Sequence, residues 1–536
     1  MYKKIFSLLT AVFIAVSFFS GCKEDDGSGY TFKYNLHSDP QNLDPQLAYD
    51  EASINVIGNI MRGLVRKDSD GAVVPDAAES YSISEDELTY TFLLKDNIFW
   101  ESEADFTEKL TADDFVFAFR RIYDNRALFS PYYDDFLCIK NAEKAAAGEV
   151  PITSIGVTAP SSLTLQIELE YPCFDFLERL TLTGAMPCNE SFFELTQGRY
   201  GLSAETTASN GAFFLKEWNY DPYWDNNYII LRRNKANSES EFTFPYSINY
   251  FIKKGSDSDT EDFSKGDTDC VSVSVYEKKL FERNDYSSYP VKTYGLFFNL
   301  NSKYLASNDI REALSKSFVR SESNDPDYIS GCGIIPPAAR IMGRGYRELV
   351  SDESFNTADK EYASDLWNKA LKQNNWTSVD GIKITVPEDF GASELISNIA
   401  EQWSVNLDFY CGVEVVSENE YELKISDGMF DIVLVEITSD SGTLSGYFDS
   451  FLPSGSFACG NSSYMLAGKM TELSKAQSLG EAVDLYSEAE RIILDSCVFI
   501  PVCYGNEYFL YDKNARDLVY DPITRSVDFR NGKYFD

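Results

Sequence analysis

The sequence predicts an exported α/β protein of two or three lobes, and three observations carry that prediction. A chain of 536 residues is longer than one hydrophobic core gathers. Segments of helical and of strand periodicity alternate along it without a Pro/Gly/Ser linker, repeat or low-complexity tract, so each lobe draws on separated stretches of sequence. At the amino terminus Lys3 and Lys4 precede an apolar run from Ile5 to Phe19, which is short for a membrane span and reads as an export signal.

Composition narrows the functional classes. With 44% hydrophobic and 25% charged residues the chain is an ordinary globular protein rather than a disordered one. Its 47 bases against 85 acids give a net charge of −38, which argues against nucleic acid and against a basic membrane-surface patch. The 34 Tyr and 6 Trp suit a cleft that grips varied organic ligands as well as a core. Phe19-Ser20-Gly21-Cys22 resembles a bacterial lipobox, which implies cleavage after residue 21 and lipidation of Cys22; the alternative is a plain secretory signal with Cys22 incidental. Cleavage leaves 45 of the 47 bases against 85 acids, a net charge of −40. Nine scattered cysteines follow, none in C-x-x-C spacing, and with His37 as the single histidine no Cys/His metal site is expected. So many thiols in an exported chain suggest a reducing habitat.

The elements follow in order. Thr31 to Leu36 alternates like an edge strand, and Asn42-Leu43-Asp44-Pro45 is a turn before a helix-period run through Ile54, Ile57, Ile60, Met61 and Leu64. After turns at Asp70-Gly71 and Val74-Pro75-Asp76, a strand places Leu88, Tyr90, Phe92 and Leu94 on one face. Thr111, with Asp114 three residues on, predicts a capping box for a helix carrying Phe115, Phe119 and Ile122. Leu163, Leu165, Ile167 and Leu169 form another strand, and Asn210-Gly211 predicts a hairpin turn. Helices are expected at Ile310–Phe318, at Tyr362–Leu371, around Leu395, Ile399 and Trp403, and from Ala482 through Ile493, the last ending near Ile500–Tyr504; strands are expected at Tyr294–Asn299 and Phe430–Leu434.

Taken together, Leu43-Asp44-Pro45, Met61-Arg62-Gly63-Leu64, the run from Gly71 to Ser80, Tyr90 to Leu94, and Leu110 to Val116 with Phe119-Arg120-Arg121 resemble, in order and spacing, the solute-binding proteins of peptide-type ABC importers. The likeness continues through Asn210-Gly211, Tyr294 to Asn299 and Tyr486 to Ile493, from Tyr30 to the end. It implies a periplasmic-binding-protein-like fold of type II, cluster C, with two large lobes around a ligand cleft and a small third lobe. Residues 1–21 would be the signal peptide and 22–30 a tether. Residues 31–64, 185–285 and 505–536 would form lobe I, 65–184 the small lobe II, and 286–504 lobe III. It also implies no catalysis, no cofactor and no metal, a monomer tethered by Cys22 at the outer face of the cytoplasmic membrane, and a permease and ATPase as partners.

Peptide binders of this kind hold an extended chain by backbone hydrogen bonds and need a carboxylate for the α-ammonium. By position, the resemblance assigns that role to Asp440; the plain alternative is a loop Asp capping the turn at Ser441-Gly442. Ile437, Thr438 and Ser439 share its segment, although Ile437 and Ser441 stand where relatives carry Trp and Tyr. Tyr132, after Ser130-Pro131, falls near the ligand in relatives or is a packed loop aromatic; Tyr504 matches a cleft aromatic, and Tyr49 to Glu51 a ligand-pairing segment. The same fold could take a glycan or metal chelate, or sense a peptide pheromone. No G-x-S-x-G, H-E-x-x-H or P-loop points to an enzyme, and a secreted glycosidase is the form to test.

Overall fold

The computed structural model describes residues 29–124, 130–221, 227–237, 243–256, 258–350, 358–439 and 443–535. The expected signal, Cys22 and Asp440 lie outside these residues. Strand β1 (Thr31–Leu36) buries Phe32, Tyr34 and Leu36. Helix α1 (Glu51–Ile60) starts where the Asp50 side chain accepts from the Ser53 amide at 2.9 Å, and it buries Ala52, Val56, Ile57 and Ile60. Its periodicity runs on to Leu64, but the helix stops at Ile60. There the Gly211 N–H donates to the Ile60 carbonyl at 2.8 Å, and the Asn210 amide bonds both the N–H and the C=O of Arg62. A Cβ at Gly211 would lie 2.6 Å from the Ile60 carbonyl carbon, so only glycine fits. Asn210-Gly211 is therefore a docking point, and it leads directly into the expected hairpin of Phe213–Asn219 and Tyr228–Arg233.

Strands β2 (Ala78–Ile83) and β3 (Thr89–Leu94), helix α2 (Ala112–Ile122), and strands β4 (Val157–Ser161) and β5 (Thr164–Glu168) form a small antiparallel sheet, order β2-β3-β5-β4, with a helix against it. The capping box at Thr111 and Asp114 is present, and Phe115, Phe119 and Ile122 are buried. Strands β6 (Phe213–Asn219), β7 (Tyr228–Arg233) and β8 (Ser247–Ile252) complete the sheet β1-β8-β7-β6, in which β1 is an edge strand parallel to β8. Both sheets share one continuous core from Phe32 to Phe529, so no hydrophobic break marks positions 64/65 or 184/185.

The third sheet contains β9 (Cys270–Val273), β10 (Asp285–Phe298), β11 (Tyr328–Ser330), β12 (Lys383–Pro387), β13 (Gly412–Val416), β14 (Ile432–Ile437) and β15 (Phe499–Tyr511). Their order is β9-β15-β10-β14-β12-β13, with β11 also on β15. Helices α3 (Asn308–Lys316), α4 (Lys360–Asn374) and α5 (Ser393–Leu407) bury Leu314, Trp367 and Trp403 with Leu434; helix α6 (Leu479–Asp495) packs Tyr486 and Ile493 in a second core with Val433. Strands β10 and β15 pair from Asp285–Tyr511 to Phe297–Phe499, with irregularities at Pro290–Lys292 and Tyr294–Gly295. The expected boundaries at 285/286 and 504/505 fall inside this continuous ribbon. No helix among the described residues is long and apolar enough to cross a membrane, and no disulfide joins any two of the nine described cysteines.

Candidate functional site

A cleft of about 830 Å³ opens between α1, the carboxy-terminal segment and strands β10, β14 and β15 of the third sheet, a volume ordinary for an organic ligand. Residues of α1, of the 131–135 and 181–186 loops, of the end of β14 and of the carboxy-terminal segment 519–530 line it.

The carboxy-terminal segment is stitched to α1. Asn55 Nδ2 donates to the Arg525 carbonyl at 3.1 Å and Asn59 Nδ2 to the Val527 carbonyl at 2.7 Å, while the Phe529 N–H donates to Asn59 Oδ1 at 3.0 Å. Ion pairs add to this seam. Buried Asp76 accepts from Arg62 Nε at 2.9 Å and Arg530 Nη1 at 3.1 Å; burial alone would raise its pKa, yet Arg530 and Arg62 hold it well below the usual carboxylate range. Glu507 accepts from Tyr520 Oη at 2.6 Å and Arg525 Nη2 at 3.0 Å. Glu51 lies 3.6 Å from Arg525 Nη1 and 3.5 Å from His37 Nδ1, whose Nε2 is 2.6 Å from Asp259. Hydrogen bonds to Asp259 and then Glu51 push the His37 pKa up to about 9. The Leu-Asp-Pro turn is fixed by another ion pair, in which Asp44 meets Arg121 of α2.

Of the residues singled out from sequence, Tyr49, Glu51, Tyr132, Thr438 and Ser439 come together on the cleft. Tyr49 is 60% exposed, free to meet a ligand. Tyr132 is both things at once: it lines the cleft, yet its ring lies against Gly184 and its hydroxyl donates to the Ala48 carbonyl at 2.6 Å. Ser439 Oγ donates to the Thr443 carbonyl at 2.6 Å. Ile437 and Tyr504 do not line the cleft. Strand alternation turns Ile437 into the core with Val433 and Val435, and presents Glu436, bonded by Tyr294 Oη at 2.5 Å, to the cleft. Tyr504 lies in a central strand, its ring over Gly331 and its hydroxyl accepting from the Gly333 N–H at 3.0 Å.

Sequence reasoning missed Asp135, Lys292, Glu436, Glu507 and Arg525. Only Glu436 left a signal, as the single polar residue of the run Ile432–Ile437. Pairing of β14 with β12 ends at Val433, whereas pairing with β10 continues to Ile437. The strand thus reaches the cleft with one side free of a neighbouring strand among the described residues. No group of three or more His, Cys, Asp or Glu that could hold a metal occurs among them either.

The model of the bacterial extracellular solute-binding proteins, family 5 (middle region), matches residues 72–458. Two Bacillus subtilis (strain 168) relatives are similar along most of the chain. The dipeptide-binding protein DppE is 25% identical over 91% of this chain and 89% of its own length. The oligopeptide-binding protein OppA is 24% identical over 99% and 100%. The structure of Listeria monocytogenes OppA bound to peptide superposes with a TM-score of 0.66 at 19% identity, covering 95% of this chain and 99% of that one.

Proposed function

The chain belongs to the bacterial extracellular solute-binding proteins of family 5, and from that premise we propose that it captures extended oligopeptides and hands them to a membrane permease. Both relatives named above are described as peptide-binding proteins. The observation that carries the reading is the end of β14. Past Val433 this strand keeps one edge without a strand partner among the described residues and runs into the cleft at Glu436, Thr438 and Ser439, where an extended peptide adds as a further strand. Backbone pairing of that kind is indifferent to side chains, and the roomy cleft accommodates them.

On this reading 31–64, 185–285 and 505–536 form the first lobe, 65–184 a small second lobe that shares its core with the first, and 286–504 the third. The ribbon of β10 and β15 is the hinge, bending at the irregularities around Pro290 and Tyr294. Asp440, directly after the cleft-lining Ser439, receives the α-ammonium. Cys22 carries the lipid that holds the protein at the outer face of the membrane.

Native purification followed by denaturation and mass spectrometry of the released molecules tests the reading. A ladder of unrelated short peptides is expected, with less of it retained by Asp440→Ala. A sugar or a single non-peptide species would overturn it.

A further inference from the structure

Asp135 stands apart from the other carboxylates of the cleft. Its backbone is fixed: Phe136 beside it is fully buried against the ring of Phe119 at 5.3 Å, and Arg179 Nη1 donates to the Asp135 carbonyl at 2.9 Å. Asp135 itself lines the cleft. Among the described residues that carboxylate accepts no hydrogen bond and has no Lys, Arg or His nitrogen within 4.0 Å. The nearest guanidinium, Arg179, is committed to Asp175 at 2.9 Å. Asp134 and Asp175 add negative charge, and burial pushes the carboxyl up to about 6 against the pull of Arg179. By contrast Glu51, Asp76, Glu436 and Glu507 already face a cation of the protein. A half-desolvated carboxylate without a counter-ion gains most from a cation that arrives with the ligand.

We infer that Asp135 receives a cationic side chain of the ligand, the ammonium of a lysine or the guanidinium of an arginine, and so biases the cleft toward basic peptides. The inference deepens the peptide reading and rests on it. The α-ammonium is left to Asp440, on the segment after β14.

The test incubates the purified protein with an equimolar synthetic library of two- to six-residue peptides, washes it, and sequences the retained peptides by mass spectrometry. Peptides containing lysine or arginine should be enriched about tenfold over their glutamine counterparts, a difference of about 1.4 kcal/mol. In Asp135→Asn that enrichment should vanish while glutamine peptides are retained as before, and Asp135→Glu should restore part of it. No enrichment in the native protein, or enrichment that survives Asp135→Asn, overturns the inference and leaves the peptide reading standing. Loss of every peptide in Asp135→Asn would place the α-ammonium there and overturn the side-chain assignment. If the native protein retains no peptide at all, the peptide reading fails and takes the inference with it.

Discussion

On the wall built from α1 and the carboxy-terminal segment, Asp76, Glu507 and Glu51 each pair with an arginine, whereas on the wall built from residues 131–135 and 181–186 the Asp135 carboxylate forms no ion pair among the described residues. The first wall uses charge to hold together parts of the chain that are far apart in sequence. The second leaves its charge for whatever enters. A carboxylate near a cleft is therefore not a ligand group by position alone; what matters is whether the protein has already supplied its counter-ion.

Substitutions at the two walls should move stability in opposite directions. Asp76→Asn removes the carboxylate that Arg62 and Arg530 share in a buried site, and should cost about 3–5 kcal/mol in urea unfolding. A loss under 1 kcal/mol would break the comparison. Asp135→Asn should instead stabilise the empty protein at pH 8. The Asp135 carboxyl titrates at about 6 when folded and near 3.8 otherwise, so its ionisation opposes folding. That penalty is absent below about 3.8 and complete above about 6. The gain in melting temperature over the native protein should accordingly fade as the pH drops through this window, and a destabilised variant at pH 8 would sink the idea.

His37 sharpens the picture of the first wall. Its folded pKa is raised from 6.5 to about 9, so the charged imidazolium stabilises the fold fully below 6.5 and loses that contribution as the pH rises through 9. The stability difference between native and His37→Gln protein should shrink over that range; a constant difference would mean the pairs with Asp259 and Glu51 are not ionic. The smallest stability effect belongs to Tyr49→Ala. Its ring is 60% exposed, so unfolding should shift by less than about 0.5 kcal/mol while retention of peptide falls measurably.

Local signals were legible in the sequence wherever local physics decides. The Thr111–Asp114 capping box, the buried face of α6 and the alternation of β3 all form as their residues dictate. The cleft was half legible. Strand β14 is buried on both faces and nearly all apolar, so periodicity could not say that Ile437 points inward and Glu436 outward. Asn210-Gly211 announced the hairpin that follows it, but nothing local reveals that it also docks against the end of α1, about 150 residues earlier. Arg525 and Asp135 gave no signal at all, since their surroundings come from distant parts of the chain.

The seam between α1 and the carboxy-terminal segment has a consequence for when the protein can finish folding. Asn59 finds its partners at Val527 and Phe529, separations of 468 and 470 residues. The sheet that starts at Thr31 is complete by Ile252, whereas the helix packed beside it gains its last partners only after the carboxy-terminal segment has been synthesised. Contacts of such long range are slow to form. In a family of extracellular proteins, a seam that waits for the tail keeps the chain from locking before its synthesis is finished.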